Sequence, residues 1–126
     1  MKNRFRNIVF FAALLALMSP IAIGQSGDVR RIQFRRGRYS TVVRSSIRKN
    51  QIITFLVGVG AGQTMDLRVS KGTAFRLYTP SGDALQGGKG VSSATEELEE
   101  TGDYRIDVES LGNKSRVSFS LNVAVR

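Results

Sequence analysis

The chain contains no cysteine and no histidine among its 126 residues, and only two prolines. Without cysteine, the fold cannot rely on disulfide bonds, and there is no thiol for catalysis or for a lipoprotein anchor. Histidine and cysteine are also the usual zinc ligands, and histidine is the commonest general base. A serine nucleophile would therefore need a lysine as its base. The composition predicts a protein that is not an enzyme and that binds no metal or other cofactor.

The sequence also lacks an apolar run long enough to cross a membrane as a helix, which takes about 20 residues. The longest run, Ile8–Met18, has 11 residues. A basic segment precedes it, and the Ser19–Pro20 break and the small residues Ala22 and Gly24 follow. This order predicts a secretory signal peptide over residues 1–24. We expect a bacterial protein that is periplasmic or secreted, with no transmembrane anchor after cleavage.

Residues 25–126 then make a single domain, long enough to bury a core of its own. Without the three basic residues of the predicted signal peptide, 16 basic residues stand against 10 acidic ones, a net charge of +6. Between Val29 and Lys49 there are eight basic residues and no acid. This segment predicts contact with an anionic envelope polymer, or else a solvated strand face rich in arginine. The residues of this predicted strip are Arg35, Arg36, Arg38, Arg44, Arg48 and Lys49.

Nucleic acid is not an expected partner, because the aromatic side chains on which bases stack are sparse. Phe34 and Tyr39 lie within the basic segment, but both also fit a core or an edge strand. The acidic stretch from Glu96 to Glu100 has no glycine-hinged calcium loop around it, so we interpret it as a solvated face.

Short segments of alternating polar and apolar residues recur about every ten residues, which predicts an all-β fold. We expect a single antiparallel β-sandwich, jelly-roll-like, with about eight or nine strands. The clearest strands are 52–59, 65–69, 104–109 and 117–125, and weaker ones are 29–34, 40–47, 73–79 and 84–85. Val91–Glu100 stays open between strand, loop and short helix.

The glycines at 58, 60 and 62 admit two interpretations. A phosphate-binding loop needs a helix after it, but the residues that follow alternate as a strand does. We therefore predict a β-hairpin at the centre of the sheet, with strand 52–59 covered on both faces. Its predicted core residues are Ile53, Phe55, Val57, Met65, Leu67 and Val69.

Four stretches carry a resemblance to a known family: Arg31–Gly37, Ala61–Met65, Tyr78–Gly82 and Thr101–Val108. They resemble the bacterial pre-peptidase C-terminal domain and, more closely, its single-domain periplasmic relatives that inhibit g-type (goose-type) lysozyme. The resemblance implies a jelly-roll-like sandwich that presents loops to a protein partner, such as a lysozyme, without catalysis.

On this resemblance, the candidate partner-binding residues lie in three connections of the predicted sandwich. The link between the last two strands, which we take as a hairpin, is only six residues long in this chain, from Leu111 to Arg116. The candidate residues are Asn113, Lys114 and Arg116 of this link, Ser81 and Asp83 of the Pro80–Asp83 turn, and Lys89 of the glycine-rich loop. The alternative function is a structural or adhesive envelope protein that holds anionic polymer through the segment Arg30–Lys49.

Overall fold

The computed structural model describes residues 28–85 and 90–126. The predicted signal peptide lies outside these ranges, as does Lys89. The described residues form nine strands and no helix, so no helix there could span a membrane. The strands are β1 (Asp28–Arg31), β2 (Ser40–Arg48), β3 (Ile52–Val59), β4 (Thr64–Val69), β5 (Thr73–Tyr78), β6 (Ala84–Leu85), β7 (Ser93–Glu97), β8 (Gly102–Ser110) and β9 (Arg116–Val125).

The strands form two sheets that pack face to face. One sheet has the order β1-β3-β8-β5-β6, and the other has the order β2-β9-β4-β7. If β1 is set aside, the two sheets have the wiring of a jelly roll, in which successive strands mostly alternate between the sheets. The predicted β-sandwich is confirmed, with one exception to its antiparallel pairing: β1 runs parallel to β3.

The core lies between the sheets and contains one face of each long strand. In β8, Tyr104, Ile106 and Val108 are buried while the residues between them are not, as period-two alternation requires. The rings of Phe55 and Phe119 meet edge to face across the two sheets, with centroids 6.5 Å apart. Since the chain has no cysteine, this packing takes the place of disulfide bonds.

The predicted hairpin at the glycine corner is wrong. β3 pairs with β1 and β8, whereas β4 pairs with β7 and β9 in the opposite sheet. The corner therefore carries the chain from one sheet to the other, and Gly62 turns it with a φ of 96°. All six predicted core residues of this stretch are buried, because alternation fixes the inward face of a strand but not its partner.

Four further expectations need correction or completion. β3 is buried on one face only, since Ile52 is exposed and Thr54 and Leu56 are half-buried. β1 ends at Arg31, although Ile32 beyond it is still in the core. The last two strands form no hairpin, because β8 and β9 lie in different sheets. Within Val91–Glu100, the open choice resolves to strand β7.

The connections gather at two ends of the sandwich. At one end, Lys49 N–H donates to Ser115 O at 3.1 Å, and Leu111 N–H donates to Gly72 O at 2.9 Å. These bonds bring together the connections β2–β3 (49–51), β4–β5 (70–72) and β8–β9 (111–115). The opposite end holds the connections 60–63, 79–83 and 98–101. β8 runs between the two ends, and nine residues at about 3.3 Å each separate them by roughly 30 Å.

Candidate functional site

The structure separates the predicted partner-binding residues. Asn113 and Lys114 are exposed in the β8–β9 connection, and Arg116 begins β9 beside them. Ser81 and Asp83 lie at the opposite end of the sandwich, in the β5–β6 turn. Lys89 lies outside the described residues. One partner cleft could not contact both groups without spanning the length of the sandwich.

Ser81 has structural partners of its own. Its backbone N–H donates to Glu100 Oε1 at 3.1 Å, and its hydroxyl donates to Glu100 Oε2 at 2.9 Å. Asp83 closes the same turn, because its N–H donates to Thr79 Oγ1 and its carbonyl accepts from Thr79 N–H. The Pro80–Asp83 turn is thus tied to the β7–β8 connection, and we assign Ser81 a scaffold role.

The other end of the sandwich concentrates positive charge. Arg48 and Arg116 are directly opposite each other on β2 and β9. Lys49 follows Arg48 in the turn, Lys71 occupies the β4–β5 turn, and Lys114 lies in the β8–β9 connection. All five side chains are exposed. We call this cluster the basic end: Arg48, Lys49, Lys71, Lys114 and Arg116.

No acid neutralises the basic end. All ten acidic residues of the sequence lie within the described ranges, and their ion pairs involve other cations. Within the cluster, Arg116 Nη1 donates a hydrogen bond to Ser46 Oγ at 3.1 Å, which leaves its charge in place. Like charges held this close raise the local potential and favour an acidic partner.

Sequence reasoning divided this cluster between two sites and missed one member. Arg48 and Lys49 were predicted as part of the polymer strip, and Lys114 and Arg116 as partner contacts. Lys71 belonged to neither predicted site, because nothing in strand alternation shows which turns share an end of the sandwich.

The residues of the predicted polymer strip are spread along the length of the sandwich. Arg44 and Arg48 point outward from β2, whereas Arg35, Arg36 and Arg38 lie in the β1–β2 connection near the end opposite Lys49. The first two cations of the basic segment are paired with acids. Fewer of its positive charges are therefore available to bind a polymer than the sequence alone suggests.

Arg30 and Arg31 make these pairs. Arg30 Nη2 lies 2.7 Å from Asp28 Oδ2, and Arg31 Nη2 lies 2.6 Å from Asp103 Oδ2. The hydrogen bonds from these guanidinium groups lower the pKa of both carboxyls, and the positive charges add to the effect. Arg30 also donates to Ser45 Oγ at 2.9 Å, which ties β1 to the facing sheet.

A groove lies on the outer face of the four-stranded sheet. The outward side chains of β9 are short, and β9 lies between strands that carry outward arginines. The resulting hollow has a volume of about 610 Å³. We call it the arginine groove, with Arg35, Arg38 and Arg68 at its rim and Ser40, Val42, Asn122 and Ala124 on its floor.

A turn places the rim arginines of the β1–β2 connection. Arg38 N–H donates to Arg35 O at 2.9 Å, and Gly37 at the third position has a φ of 78°. The first and fourth residues of this turn therefore both reach the groove, and Arg36 between them does not line it.

One acid lines the arginine groove, and it is already paired. Asp66 accepts a hydrogen bond from Thr95 Oγ1 at 2.5 Å and one from Arg126 Nη2 at 3.0 Å. The Thr95 bond, followed by the charge of Arg126, lowers the pKa of Asp66. The groove therefore stays net positive at neutral pH.

A group of five acids lies at the end opposite the basic end. Glu96, Glu97, Glu99 and Glu100 line a cavity of about 290 Å³ with Asp83. Within the described ranges, no three acidic side chains are grouped as metal ligands would be. We interpret this stretch as a solvated acidic face.

The sequence Ser46–Lys49 has the Ser-x-x-Lys spacing of some serine nucleophiles. Here the serine lies in β2 and the lysine in the turn that follows it. Residues three apart point to opposite faces of a strand, and Ser46 Oγ accepts from Arg116. The spacing therefore does not place a lysine base beside the serine.

Comparison with known proteins gives a likeness of fold. No family model and no curated protein matches the chain. The crystal structure of Aeromonas hydrophila PliG, a periplasmic lysozyme inhibitor of g-type lysozyme, matches with a TM-score of 0.69 at 23% identity, over 79% of this chain and 96% of that one. Salmonella Typhimurium PliG matches with a TM-score of 0.68 at 18% identity, over 80% of this chain and 100% of that one.

The pre-peptidase C-terminal domain of a Bacillus anthracis collagenase also matches, with a TM-score of 0.54 at 15% identity, over 79% of this chain and 96% of that domain. Both groups of proteins named by the resemblance in the sequence are thus found among its structural neighbours. At these identities the likeness concerns the fold. The chain has the β-sandwich fold of the periplasmic g-type lysozyme inhibitors and of the pre-peptidase C-terminal domain.

Proposed function

We propose that the protein is an exported, non-catalytic inhibitor of g-type lysozyme that acts through the basic end. The observation that carries the proposal is the cluster of five exposed cations, from Arg48 to Arg116, that no acid neutralises. The target class is supported by the fold shared with two periplasmic g-type lysozyme inhibitors.

The physical basis is charge complementarity on a rigid scaffold. Glycoside hydrolases act through carboxyl groups in their substrate cleft. Cations presented on short connections between strands suit such a cleft, since complementary charge speeds association and favours the correct partner. A non-catalytic role is supported by the absence of histidine and cysteine from the sequence. A periplasmic location is supported by the predicted signal peptide and by the periplasmic neighbours.

The test is a titration of the purified protein against a g-type lysozyme acting on bacterial cell walls. We expect lysozyme activity to fall to a low residual level near a one-to-one ratio. The double variant Lys71→Gln/Lys114→Gln should need at least about tenfold more protein for the same effect, because about 1.4 kcal/mol of lost binding corresponds to a factor of ten.

The matched control is Arg38→Gln/Arg68→Gln, which removes the same charge from the outer sheet face and should inhibit like the parent protein. Full lysozyme activity at a tenfold excess of the parent protein would overturn the proposal. Equal losses in the two double variants would show that net charge, and not the basic end, determines inhibition.

A further inference from the structure

The arginine groove is a second charged surface, separate from the basic end. Along β9, the floor residues Asn122 and Ala124 lie six and eight residues from Arg116. At about 3.3 Å per residue, this places the groove roughly 20–26 Å from the basic end.

The shape of the groove follows from side-chain length. The outward residues of β9 in this region are Ser118, Ser120, Asn122 and Ala124. Arg44 lies opposite Ser120 on β2, and Arg68 lies opposite Asn122 on β4. Short side chains flanked by long ones leave a channel along the strand. A shallower hollow, whose lining includes Arg44, Ser46, Ser118 and Ser120, extends the channel along β9 toward the basic end.

The chemistry of the channel is that of a site for carboxylates and hydroxyls. Guanidinium groups bind carboxylates through two parallel hydrogen bonds. Serine hydroxyls both donate and accept, and the Asn122 amide does the same. The cations of the channel, Arg35, Arg38, Arg44 and Arg68, make no ion pair with an acid among the described residues.

Two other classes of polyanion fit less well. Single-stranded nucleic acid binds by stacking bases on aromatic rings, and among the described residues no aromatic side chain lines the arginine groove. Hot spots of protein interfaces are enriched in tryptophan, tyrosine and arginine, and of these the groove offers arginine alone; its exposed apolar side chain is Val42, at 43% exposure. A flat, hydroxyl-rich channel with spaced cations matches an extended polymer of sugars.

We propose that the arginine groove binds an acidic polysaccharide, with Arg38 and Arg68 as carboxylate ligands and the short residues of β9 as the floor on which the sugar chain lies. This activity is independent of lysozyme inhibition. The proposed site combines part of the basic segment with Arg68, which belongs to a different strand.

The test measures binding of polygalacturonate to the full-length mature protein at 50 and 200 mM salt. We expect binding that weakens with salt, as charge-driven binding of polyanions does. Arg38→Gln/Arg68→Gln should weaken binding at least about tenfold and reduce its salt dependence, and Lys71→Gln/Lys114→Gln should bind like the parent. Neutral dextran should not bind.

A charge-neutral variant separates the groove from general electrostatics. Ala124→Ile fills the floor with a residue suited to a strand and should weaken polygalacturonate binding while circular dichroism shows an intact fold. Unchanged binding by either groove variant would overturn the proposal. Polyglutamate or oligo-dT binding as tightly as polygalacturonate would overturn the assignment to a polysaccharide, and lysozyme inhibition by each variant reports independently on the proposed function.

Discussion

Tyr104 shows how a single residue joins the core to a connection. Its side chain is 1% exposed, and its hydroxyl donates to Glu100 O at 2.9 Å and accepts from Glu100 N–H at 3.1 Å. The Glu100 carboxylate in turn holds the Ser81 turn. This arrangement is similar to the tyrosine corner of other β-sandwiches, in which a tyrosine near the start of a strand bonds to backbone a few residues upstream. Alternation predicted the strand that contains Tyr104, but not where its hydroxyl bonds.

The phenylalanine variant Tyr104→Phe should lower the free energy of unfolding by about 1–3 kcal/mol, because the backbone groups of Glu100 lose a buried partner. Chemical denaturation monitored by circular dichroism measures the change. Tyr39→Phe is the matched control, since that side chain is 57% exposed, and its effect should be near zero. Equal stabilities for the two variants would contradict the role assigned to the Tyr104 hydroxyl.

Among the elements, β3 shows which features of a strand the sequence predicts and which it does not. Although its other face is not covered, its bounds, Ile52–Val59, and the burial of Ile53, Phe55 and Val57 agree with the prediction. Its partners do not, since the alternation of Met65, Leu67 and Val69 shows which side of β4 is buried but not which sheet it joins. Because the sequence does not show which turns share an end of the sandwich, it also does not show that Lys71, Lys114 and Arg48 form one cluster. The buried face of a strand can be predicted from neighbouring residues, whereas strand pairing depends on residues far apart in the sequence.

β1 is a short edge strand that carries two exposed ion pairs. It pairs with β3 over four residues; Asp28–Arg30 lies within β1, and Arg31–Asp103 connects β1 to β8. The pKa of Asp28 and of Asp103 is lowered in the folded protein, so these contacts stabilise β1 at pH values above the ordinary carboxyl value of 3.8. They are lost as the pH falls through the lowered values and the carboxyls gain protons.

We therefore expect the backbone amides of β1 to lose protection from hydrogen exchange below about pH 3.8, corrected for intrinsic rates, before those of β8 do. Nuclear magnetic resonance measures both sets of amides. Asp103→Asn should bring the loss of protection to higher pH, whereas Asp66→Asn, on the other sheet, should not. Simultaneous loss in β1 and β8 would show that β1 unfolds only with the whole domain.

At the scale of the whole molecule, strand pairing is almost entirely non-local. Among the paired strands, β5 and β6 are the two that follow each other directly in the chain. Forming pairs between distant segments requires the closure of long loops before any contact forms, which slows folding. The charged surfaces depend on the same wiring, because the basic end joins residues from β2 and the turn after it, from the β4–β5 turn, from the β8–β9 connection and from β9.

Refolding from denaturant should accordingly take milliseconds to seconds and not microseconds, the range of other all-β domains with distant pairings. Stopped-flow circular dichroism measures the rate. Leu121→Ala in β9 serves as a core probe, since its side chain is fully buried, and should destabilise the protein by about 2–5 kcal/mol. A microsecond refolding phase that accounts for the full amplitude would contradict this view.

The position of β9 also determines when the protein can fold in the cell. β9 lies between β2 and β4, so the four-stranded sheet lacks a central strand until the ribosome has passed Val125. A shorter nascent chain has β2 but lacks the strand that joins it to β4. The four-stranded sheet, and with it the core between the two sheets, can therefore assemble only after β9 has been synthesised.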